Sequence, residues 1–166
     1  CGERLGARAA AGESLSLELE IVTRFEDGTF PVVSARIPAD DPARGEREVL
    51  VLSHLCHPQP GANDNASGAA ATLEAARTLL ALRAARSWAP SACAVRFLWV
   101  PEWNGTLAWF ARDPRRSERI VAALNLDMVG EDQAQCGSTL LLEHPPHFLG
   151  SFAEPLMAEI RHGAQD

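Results

Sequence analysis

The sequence predicts an α/β fold, in which a sheet of buried strands is covered by helices. Three short runs of apolar residues, 49–52, 94–100 and 120–126, are continuous rather than alternating, which is typical of strands buried on both faces. Stretches rich in Ala and Leu, with apolar residues at helical spacing, separate these runs. Strands that alternate with helices in this way indicate a sheet with helices on both of its faces.

Length and composition restrict the class of protein. The 166 residues are enough for one domain with a core of its own, and 46% apolar with 22% charged residues is typical of a globular chain. The formal net charge of -7 argues against a nucleic-acid partner, because no positive field would attract phosphate. No apolar run approaches the roughly 20 residues of a membrane span, so we expect no membrane partner.

The two ends of the chain suggest a piece of a longer protein. The chain starts at Cys1 rather than Met, and its last residues follow an apolar stretch without a clear stop. We therefore expect residues 1–166 to be a single domain cut at both ends. No signal-peptide pattern is visible, which favours the cytoplasm. The four cysteines form neither a CxxC pair nor a zinc-finger spacing, and their even number, which permits disulfides, leaves the compartment open.

A hairpin is predicted before the first buried strand. Residues 15–25 alternate apolar and polar side chains, which is the period of a half-buried strand. Residues 26–29 carry a turn signal, and 30–37 resume the strand pattern. We expect a β-hairpin over 15–37, at the edge of the sheet or as an inserted module.

The remaining elements follow from helical and strand spacing. Residues 67–86 predict a long helix with Ser67 as a plausible cap, and 105–111 predict a short one. Residues 138–142 are expected to form a further strand. Residues 151–161 have the amphipathic pattern of a helix.

Polar side chains follow each of the three buried strands. The first strand runs into His54, the second into Glu102 and the third into Asp127, while Asp64 lies at the entry to the long helix. Ligands of open α/β sheets bind at the carboxyl ends of the strands. Imidazole and carboxylate together are a zinc-type ligand set. The pattern therefore predicts a metal site at this edge.

Each of these residues also has an ordinary structural interpretation. His54 could be a hydrogen-bonded loop residue, Asp64 a turn former or helix cap, and Glu102 an acid at a helix N-terminus. Asp127 follows an apolar run, so we expect it to be enclosed, and an enclosed carboxylate needs a partner or a metal. The convergence on three strand ends favours the metal site.

Four segments resemble the ordered motifs of the di-zinc exopeptidases typified by bacterial leucyl aminopeptidases (metallopeptidase family twenty-eight). They are His54-Leu-Cys56, Gly61-Ala-Asn-Asp-Asn-Ala-Ser-Gly68, Pro101-Glu-Trp-Asn-Gly105 and Asn125-Leu-Asp-Met-Val-Gly130, and the agreement covers residues 49–130. The nearest subgroup has a Ser-His-Leu-Cys-His-Pro motif. The resemblance implies a three-layer α/β/α sandwich with a mixed sheet, the phosphorylase/hydrolase-like zinc exopeptidase fold. It also implies one or two zinc ions and a peptide or aminoacyl substrate.

The resemblance also implies a role for each motif residue. His54 would be a metal ligand, Asp64 would bridge two zincs, and Asp127 would complete the site that His54 holds. Glu102 would be the general base, and Trp103 would stand where the family has a ligand of the second zinc. If the register slips by one residue, Glu102 is itself a metal ligand.

The chain departs from the family pattern at three places. Cys56 replaces the Asp that orients the ligand His, and its thiolate could bind metal directly. His57 is an extra imidazole that could serve in place of His54. The last family ligand, a His, has no match after Asp127. We therefore expect a catalytic-type domain with its metal-site core at 48–132 and its C-terminal part missing.

The leading hypothesis is an aminopeptidase that hydrolyses N-terminal peptide bonds with a metal-activated water and Glu102 as general base. A one-zinc aminoacyl transferase, similar to a glutaminyl cyclase, is an alternative within the same fold. A non-catalytic metal-binding relative is the second alternative. A thiol enzyme that uses Cys56 with His57 is the last, because adjacent loop residues rarely form a catalytic pair.

Overall fold

A four-stranded mixed sheet forms the centre of the fold, in a computed structural model that describes residues 2–41, 43, 46–88 and 91–163. Its strands are β1 (Val33–Ile37), β2 (Glu48–His54), β3 (Ala94–Val100) and β4 (Ile120–Asn125). Their spatial order is β1-β3-β2-β4, with β2 parallel to both neighbours and β1 antiparallel to β3. The predicted α/β class and the mixed sheet are confirmed.

Six helices accompany the sheet within the described ranges. They are α1 (Gly2–Ala10), α2 (Gly68–Ala84), α3 (Asn104–Ala111), α4 (Arg116–Arg119), α5 (Gln133–Cys136) and α6 (Ala153–Gly163), with an irregular turn at Ala62–Ser67 and a 3₁₀ turn at His147–Leu149. The helices predicted over 67–86, 105–111 and 151–161 correspond to α2, α3 and α6. None of the described helices has the length and apolar character that crossing a membrane requires.

The strand register brings three carboxyl ends to one edge of the sheet. His54 at the end of β2 pairs with Val100 at the end of β3, and Leu52 pairs with Asn125 at the end of β4. The backbone hydrogen bonds between the strands continue one residue beyond the strand ends, because the Leu55 amide donates to Val100 O and the Leu126 amide donates to Leu52 O. The segments that follow β2, β3 and β4 therefore start side by side, as the strand pattern predicts.

One face of the sheet packs against α2. Its core consists of Ile37, Val51, Val95, Phe97 and Trp99, with Ala76 from the helix. The Trp99 indole N–H also donates to the Ala69 carbonyl over 3.0 Å, which joins the first turn of α2 to β3. This contact fixes the helix start close to the end of the sheet.

The opposite face packs against α3. Leu50, Leu98 and Val100 form a second cluster with Trp109 of that helix. The Arg116 guanidinium lies 4.4 Å from the centre of the Trp109 ring, within the range of a cation–π contact. Helices thus cover both faces of the sheet, and three layers result.

Glu48, the first residue of β2, is buried in a charged cluster. Its carboxylate pairs with Arg36 over 2.8 Å and with Arg96, and its side chain is only 9% exposed. Burial raises the pKa of Glu48, but hydrogen bonds and charge from Arg96 and Arg36 outweigh burial and hold this pKa below its usual value. The cluster joins β1, β2 and β3 at the end of the sheet opposite the site.

The hairpin predicted over 15–37 is wrong. Residues 13–32 contain neither helix nor strand, and Leu17, Leu19 and Ile21 are exposed. Only 33–37 forms a strand, and it pairs with β3 rather than with an upstream partner. An alternating pattern makes a strand only where another strand supplies hydrogen bonds and an apolar face. The strand predicted over 138–142 is absent for the same reason, since Leu140 and Leu141 are exposed.

Candidate metal centre

His54 presents one ring nitrogen to the carboxyl edge of the sheet. The residue is buried, with 5% of its surface exposed, because it is the last residue of the central strand β2. Its Nδ1 lies 2.8 Å from the Cys56 carbonyl oxygen, which can only accept, so Nδ1 carries the proton. In the neutral form of this ring, the lone pair is on Nε2.

Two carboxylates face that lone pair. Nε2 of His54 lies 3.1 Å from Oδ1 of Asp64 and 3.4 Å from Oδ1 of Asp127. Three electron-rich atoms in such proximity repel one another unless a proton or a cation lies between them. Two ligands at 2.0–2.1 Å from a tetrahedral zinc lie about 3.3 Å apart, so the separations fit this donor set. His54, Asp64 and Asp127 could hold a metal ion.

The turn Ala62–Ser67 places Asp64. Its backbone leaves helical geometry at Asp64 (φ -100°, ψ 99°), and the Asp64–Asn65 peptide bond is cis. The turn lies so close to the loop after β4 that a Cβ on Gly68 would be 2.1 Å from the Leu126 carbonyl oxygen. Only glycine fits there, which explains the last residue of the Gly61–Gly68 motif.

Asn65 joins the loops that carry the two carboxylates. Its Nδ2 donates to Leu126 O over 3.0 Å, and its Oδ1 accepts from the amides of Met128 and Gly68. The sequence analysis did not assign a role to Asn65. The available signal is its position, a side-chain amide directly after one proposed ligand and within a glycine-flanked loop.

Two further side chains strengthen this connection. Ser67 Oγ accepts from the Val129 amide and Asn63 Oδ1 accepts from the Gly130 amide, each over 3.0 Å. Both of these side chains come from the turn that carries Asp64. The loop after Asp127 is therefore held by hydrogen bonds from the turn before α2, rather than by apolar packing.

Asp127 is not enclosed, in contrast to the expectation from the apolar run before it. Its side chain is 39% exposed. The reason is the position of β4 at the free edge of the described sheet, where Asn125 is exposed as well. A carboxylate with this exposure can accept a ligand from solvent without prior rearrangement.

His57 lies on the other side of Asp64 and not in the place of His54. Its Nε2 is 3.0 Å from Oδ2 of Asp64. Its Nδ1 is 2.9 Å from the Gln59 carbonyl oxygen, and the longer 3.3 Å approach of the Gln59 amide is the weaker alternative. The two oxygens of Asp64 therefore face two different imidazoles.

Glu102 and Trp103 follow β3. The Trp103 indole N–H donates to Oε1 of Glu102 over 3.0 Å, and the Glu102 amide donates to Sγ of Cys56 over 3.1 Å. Trp103 has φ +54°, a backbone conformation that residues other than glycine seldom adopt. Among the described residues, neither Glu102 nor Cys56 belongs to the group formed by His54, Asp64 and Asp127.

A cavity of about 260 Å³ opens beside this group. Its apolar wall and its polar rim both come from the ends of the strands and from α3. The lining residues are Leu52, His54, Val100, Glu102, Trp103, Thr106, Leu107, Asn125 and Asp127. One space thus contains two possible metal ligands, His54 and Asp127, together with the Glu102 carboxylate and an apolar surface.

The fold and this geometry define an α/β domain with a candidate metal centre at the carboxyl ends of its parallel strands. Residues 22–138 match the family described as "Domain of unknown function (DUF4910)", and the chain belongs to that family. The matched range contains every residue of the candidate centre.

Comparison with individual proteins gives two similarities, both from Clostridium acetobutylicum. The chain is 33% identical over 116 residues to a "Putative polysaccharide biosynthesis protein with aminopeptidase-like domain", across 69% of this chain and 24% of that protein. It is 28% identical to a crystal structure of a "putative peptidase", across 61% of this chain and 21% of that one, with a TM-score of 0.49. The chain thus spans about a quarter of the length of its curated relative and about a fifth of the chain in the crystal structure.

Proposed function

We propose that the chain carries the active site of a zinc-dependent exopeptidase, an aminopeptidase that hydrolyses N-terminal peptide bonds. The observation that carries this proposal is the orientation of His54, whose Nε2 faces the carboxylates of Asp64 and Asp127 while its Nδ1 is bonded to the Cys56 carbonyl. The aminopeptidase-like domain in the name of the 33% identical relative supports the same class. The choice of zinc, of the reaction and of the exopeptidase subgroup rests on the motifs that resemble family twenty-eight.

The protein residues divide into ligands and a base. His54, Asp64 and Asp127 would hold the zinc, which supplies a water of near-neutral pKa and a Lewis acid for the scissile carbonyl. Glu102 lies outside this ligand group but lines the same cavity, which favours the role of general base over that of ligand. It would accept the proton of the attacking water and deliver it to the leaving amine.

Trp103 and Cys56 position that base. The indole N–H holds Oε1 of Glu102, which leaves Oε2 to take the proton, and the Cys56 sulfur accepts from the Glu102 amide. The apolar wall of the cavity, formed by Leu52, Val100 and Leu107, would bind the side chain of the N-terminal residue. A peptide or aminoacyl compound is therefore the proposed partner, with neither nucleic acid nor membrane.

The test is hydrolysis of aminoacyl anilides and short peptides by zinc-loaded protein. We expect turnover that a chelator abolishes and that zinc restores. Glu102→Ala should lower kcat by at least about 10²-fold at unchanged zinc content, because it removes the general base. Glu118→Ala, an exposed acid on α4, is the matched control and should keep full activity. Turnover that resists chelation, or that survives in Glu102→Ala, would contradict the proposal.

One observation favours a second candidate. His54, Asp64 and Asp127 are the one group of three possible ligands within the described residues, which suits a one-zinc aminoacyl transferase that closes an N-terminal glutamine into a ring. A glutaminyl peptide discriminates the two, because ring closure releases ammonia and keeps the peptide bond. Zinc binding without either reaction would instead support a non-catalytic relative.

A further inference from the structure

We propose that the free edge of β4 is an interface between two copies of this chain, which pair antiparallel about Ala123 and form one continuous sheet. Within the described residues, β4 is the last strand in the order β1-β3-β2-β4, and no strand pairs with its outer side. The inference concerns the surface next to the candidate metal centre and does not depend on whether a metal binds there.

The backbone of β4 presents hydrogen-bonding groups on its outer side. Leu52 of β2 is the register partner of Asn125, and the Leu126 amide donates to Leu52 O over 2.9 Å. Successive residues of a strand direct their backbone groups to opposite sides, so those of Ala123 and Asn125 point away from β2. Both residues are exposed, which leaves these groups open to a further strand.

β4 also lacks the features that usually keep an edge strand from pairing. Such strands commonly carry lysine, proline or another charged residue. β4 reads Ile-Val-Ala-Ala-Leu-Asn, without a charge or a proline, whereas the other edge strand, β1, carries Arg36. Only the start of β4, where its register shifts against β2, departs from a regular edge. The rest of the edge is therefore suited to pair with another strand.

A two-fold axis at Ala123 uses this edge best. Ala123 and the partner's Ala123 then exchange two N–H···O bonds, and Asn125 comes opposite the partner's Val121. The side chains that meet at the axis are two methyl groups, which do not obstruct the approach. Two four-stranded sheets would thus become one of eight strands.

The same register brings opposite charges together. Arg119, just before β4, comes opposite the partner's Asp127, just after it, and symmetry repeats the pair. The side chains of Arg119 and Asp127 are 38% and 39% exposed, so each is accessible to a partner. Asp113, which pairs with Arg119 over 2.9 Å, would keep Arg115 beside it. A second copy would therefore supply a cation beside the candidate centre and a wall to the cavity that Asp127 lines.

The mass of the chelator-washed protein in solution tests this interface. Light scattering after size-exclusion chromatography, at several concentrations, should give twice the 17.9 kDa of one chain and a return to one chain on dilution. Ala123→Lys should be monomeric at every concentration, because two like charges would lie side by side at the axis. Ala35→Lys, the same change at an exposed position of the other edge strand, is the matched control and should stay dimeric.

Two charge reversals test the register. Arg119→Glu and Asp127→Arg should each raise the dimer dissociation constant at least about 10-fold, because each puts two pairs of like charges across the interface. A protein that carries both changes should regain the dimer, since the opposite charges face each other again. Arg115→Glu, which lies outside β4 and its flanking residues, is the control and should leave the dissociation constant unchanged.

The outcomes separate this interface from the metal centre. A mass of one chain at every concentration would overturn the interface, as would a dimer that persists in Ala123→Lys. A doubly reversed protein that dimerises as weakly as the single variants would overturn the pairing about Ala123. A dimer that binds no zinc would keep the interface and overturn the metal centre. A far-ultraviolet circular dichroism spectrum of each variant verifies that it is folded.

Discussion

Asn65 holds the backbone on both sides of Asp127. Its side-chain amide donates to the carbonyl of Leu126, which precedes Asp127, and accepts from the amide of Met128, which follows it. Because Asp64 is the residue before Asn65, one buried side chain connects the backbone beside Asp64 to the backbone on both sides of Asp127. The amide is thus a positioning group for the candidate centre although it binds no metal itself.

Replacement of Asn65 should weaken metal binding without removing a ligand. Asn65→Ala leaves Leu126 O, Met128 N and Gly68 N without their partner, so we expect unfolding to become easier by about 1–3 kcal/mol. The zinc dissociation constant should rise about 10- to 100-fold, as for other residues that orient ligands. Competition with a chromophoric chelator measures the affinity, and thermal unfolding measures the stability. Asn104→Ala, exposed at the start of α3, is the control, and an equal effect of both variants would contradict the role of Asn65.

Substitution of Gly68 tests the close approach between the turn Ala62–Ser67 and the loop after β4. A methyl group there would meet Leu126 O at 2.1 Å and Asn65 Oδ1 at 2.3 Å, so the two loops must separate. We expect Gly68→Ala to cost about 1–3 kcal/mol of stability and to weaken zinc binding as well. Urea unfolding and zinc titration are the measurements.

The matched control is Gly6→Ala, in the middle of α1. No atom lies within 4 Å of the added methyl group there, and alanine is the better helix former by about 1 kcal/mol. This variant should be as stable as the original or slightly more so. Gly68→Ala with the same stability as Gly6→Ala would show that the loops do not approach as closely as described.

Glu48 should make stability depend on pH in the acid range. Its pKa in the folded protein lies below the ordinary value of 4.5, because the two arginines outweigh burial. A group with a lowered pKa stabilises the fold fully above its unfolded pKa, and this contribution disappears as the pH falls through the folded pKa. We expect Glu48→Gln to cost about 2–3 kcal/mol at neutral pH, somewhat less than for a fully enclosed ion pair.

The measurement is urea unfolding at a series of pH values. The stability difference between Glu48→Gln and the original should be constant at neutral pH and shrink as the pH falls below 4.5. Glu118→Gln changes an exposed acid and should show no such trend. A difference that stays the same down to strongly acidic pH would mean that the carboxylate charge of Glu48 is not what stabilises the cluster.

Cys56 should be dispensable for metal binding. Its sulfur accepts from the Glu102 amide, while its carbonyl, which any residue would supply, orients His54. Serine keeps an acceptor at this position, so Cys56→Ser should retain the zinc affinity and any aminopeptidase turnover. Loss of zinc would identify the thiolate as a ligand. Loss of turnover with zinc retained would show that the sulfur itself is required, either to hold Glu102 or as the nucleophile of a thiol enzyme.

The central sheet could be predicted because each strand carries its own evidence. The runs around Leu50, Phe97 and Val121 are apolar on both faces, a pattern that predicts a strand without knowledge of its partners. The burial expected on both faces is wrong for β4, which lies at an edge of the described sheet and has no fully buried residue. The polar residues at the ends of these runs then follow from parallel geometry alone. That is why His54 and Asp127, which are 73 positions apart in the numbering, could be assigned to one site from the sequence.

The predictions from the sequence are wrong or incomplete where the structure of a segment depends on a partner far away in the chain. The alternation from Leu15 to Ile21 is a valid strand pattern, but no described strand lies beside it. The exposure of Asp127 depends on β4 being an edge strand, which the apolar run before it does not indicate. The contact between Asn65 and the loop after β4, and the choice of His57 for the far oxygen of Asp64, depend on side-chain directions that spacing does not contain.

The three possible ligands are the last residue of β2, a residue of the turn before α2 and a residue of the loop after β4. An ion held by them would act as a non-covalent cross-link that closes two loops of the chain at once. At a free zinc concentration 1,000 times its dissociation constant, such binding would add about 4 kcal/mol to the free energy of unfolding. The lifetime of this protein against proteolysis would then follow the supply of zinc in its surroundings.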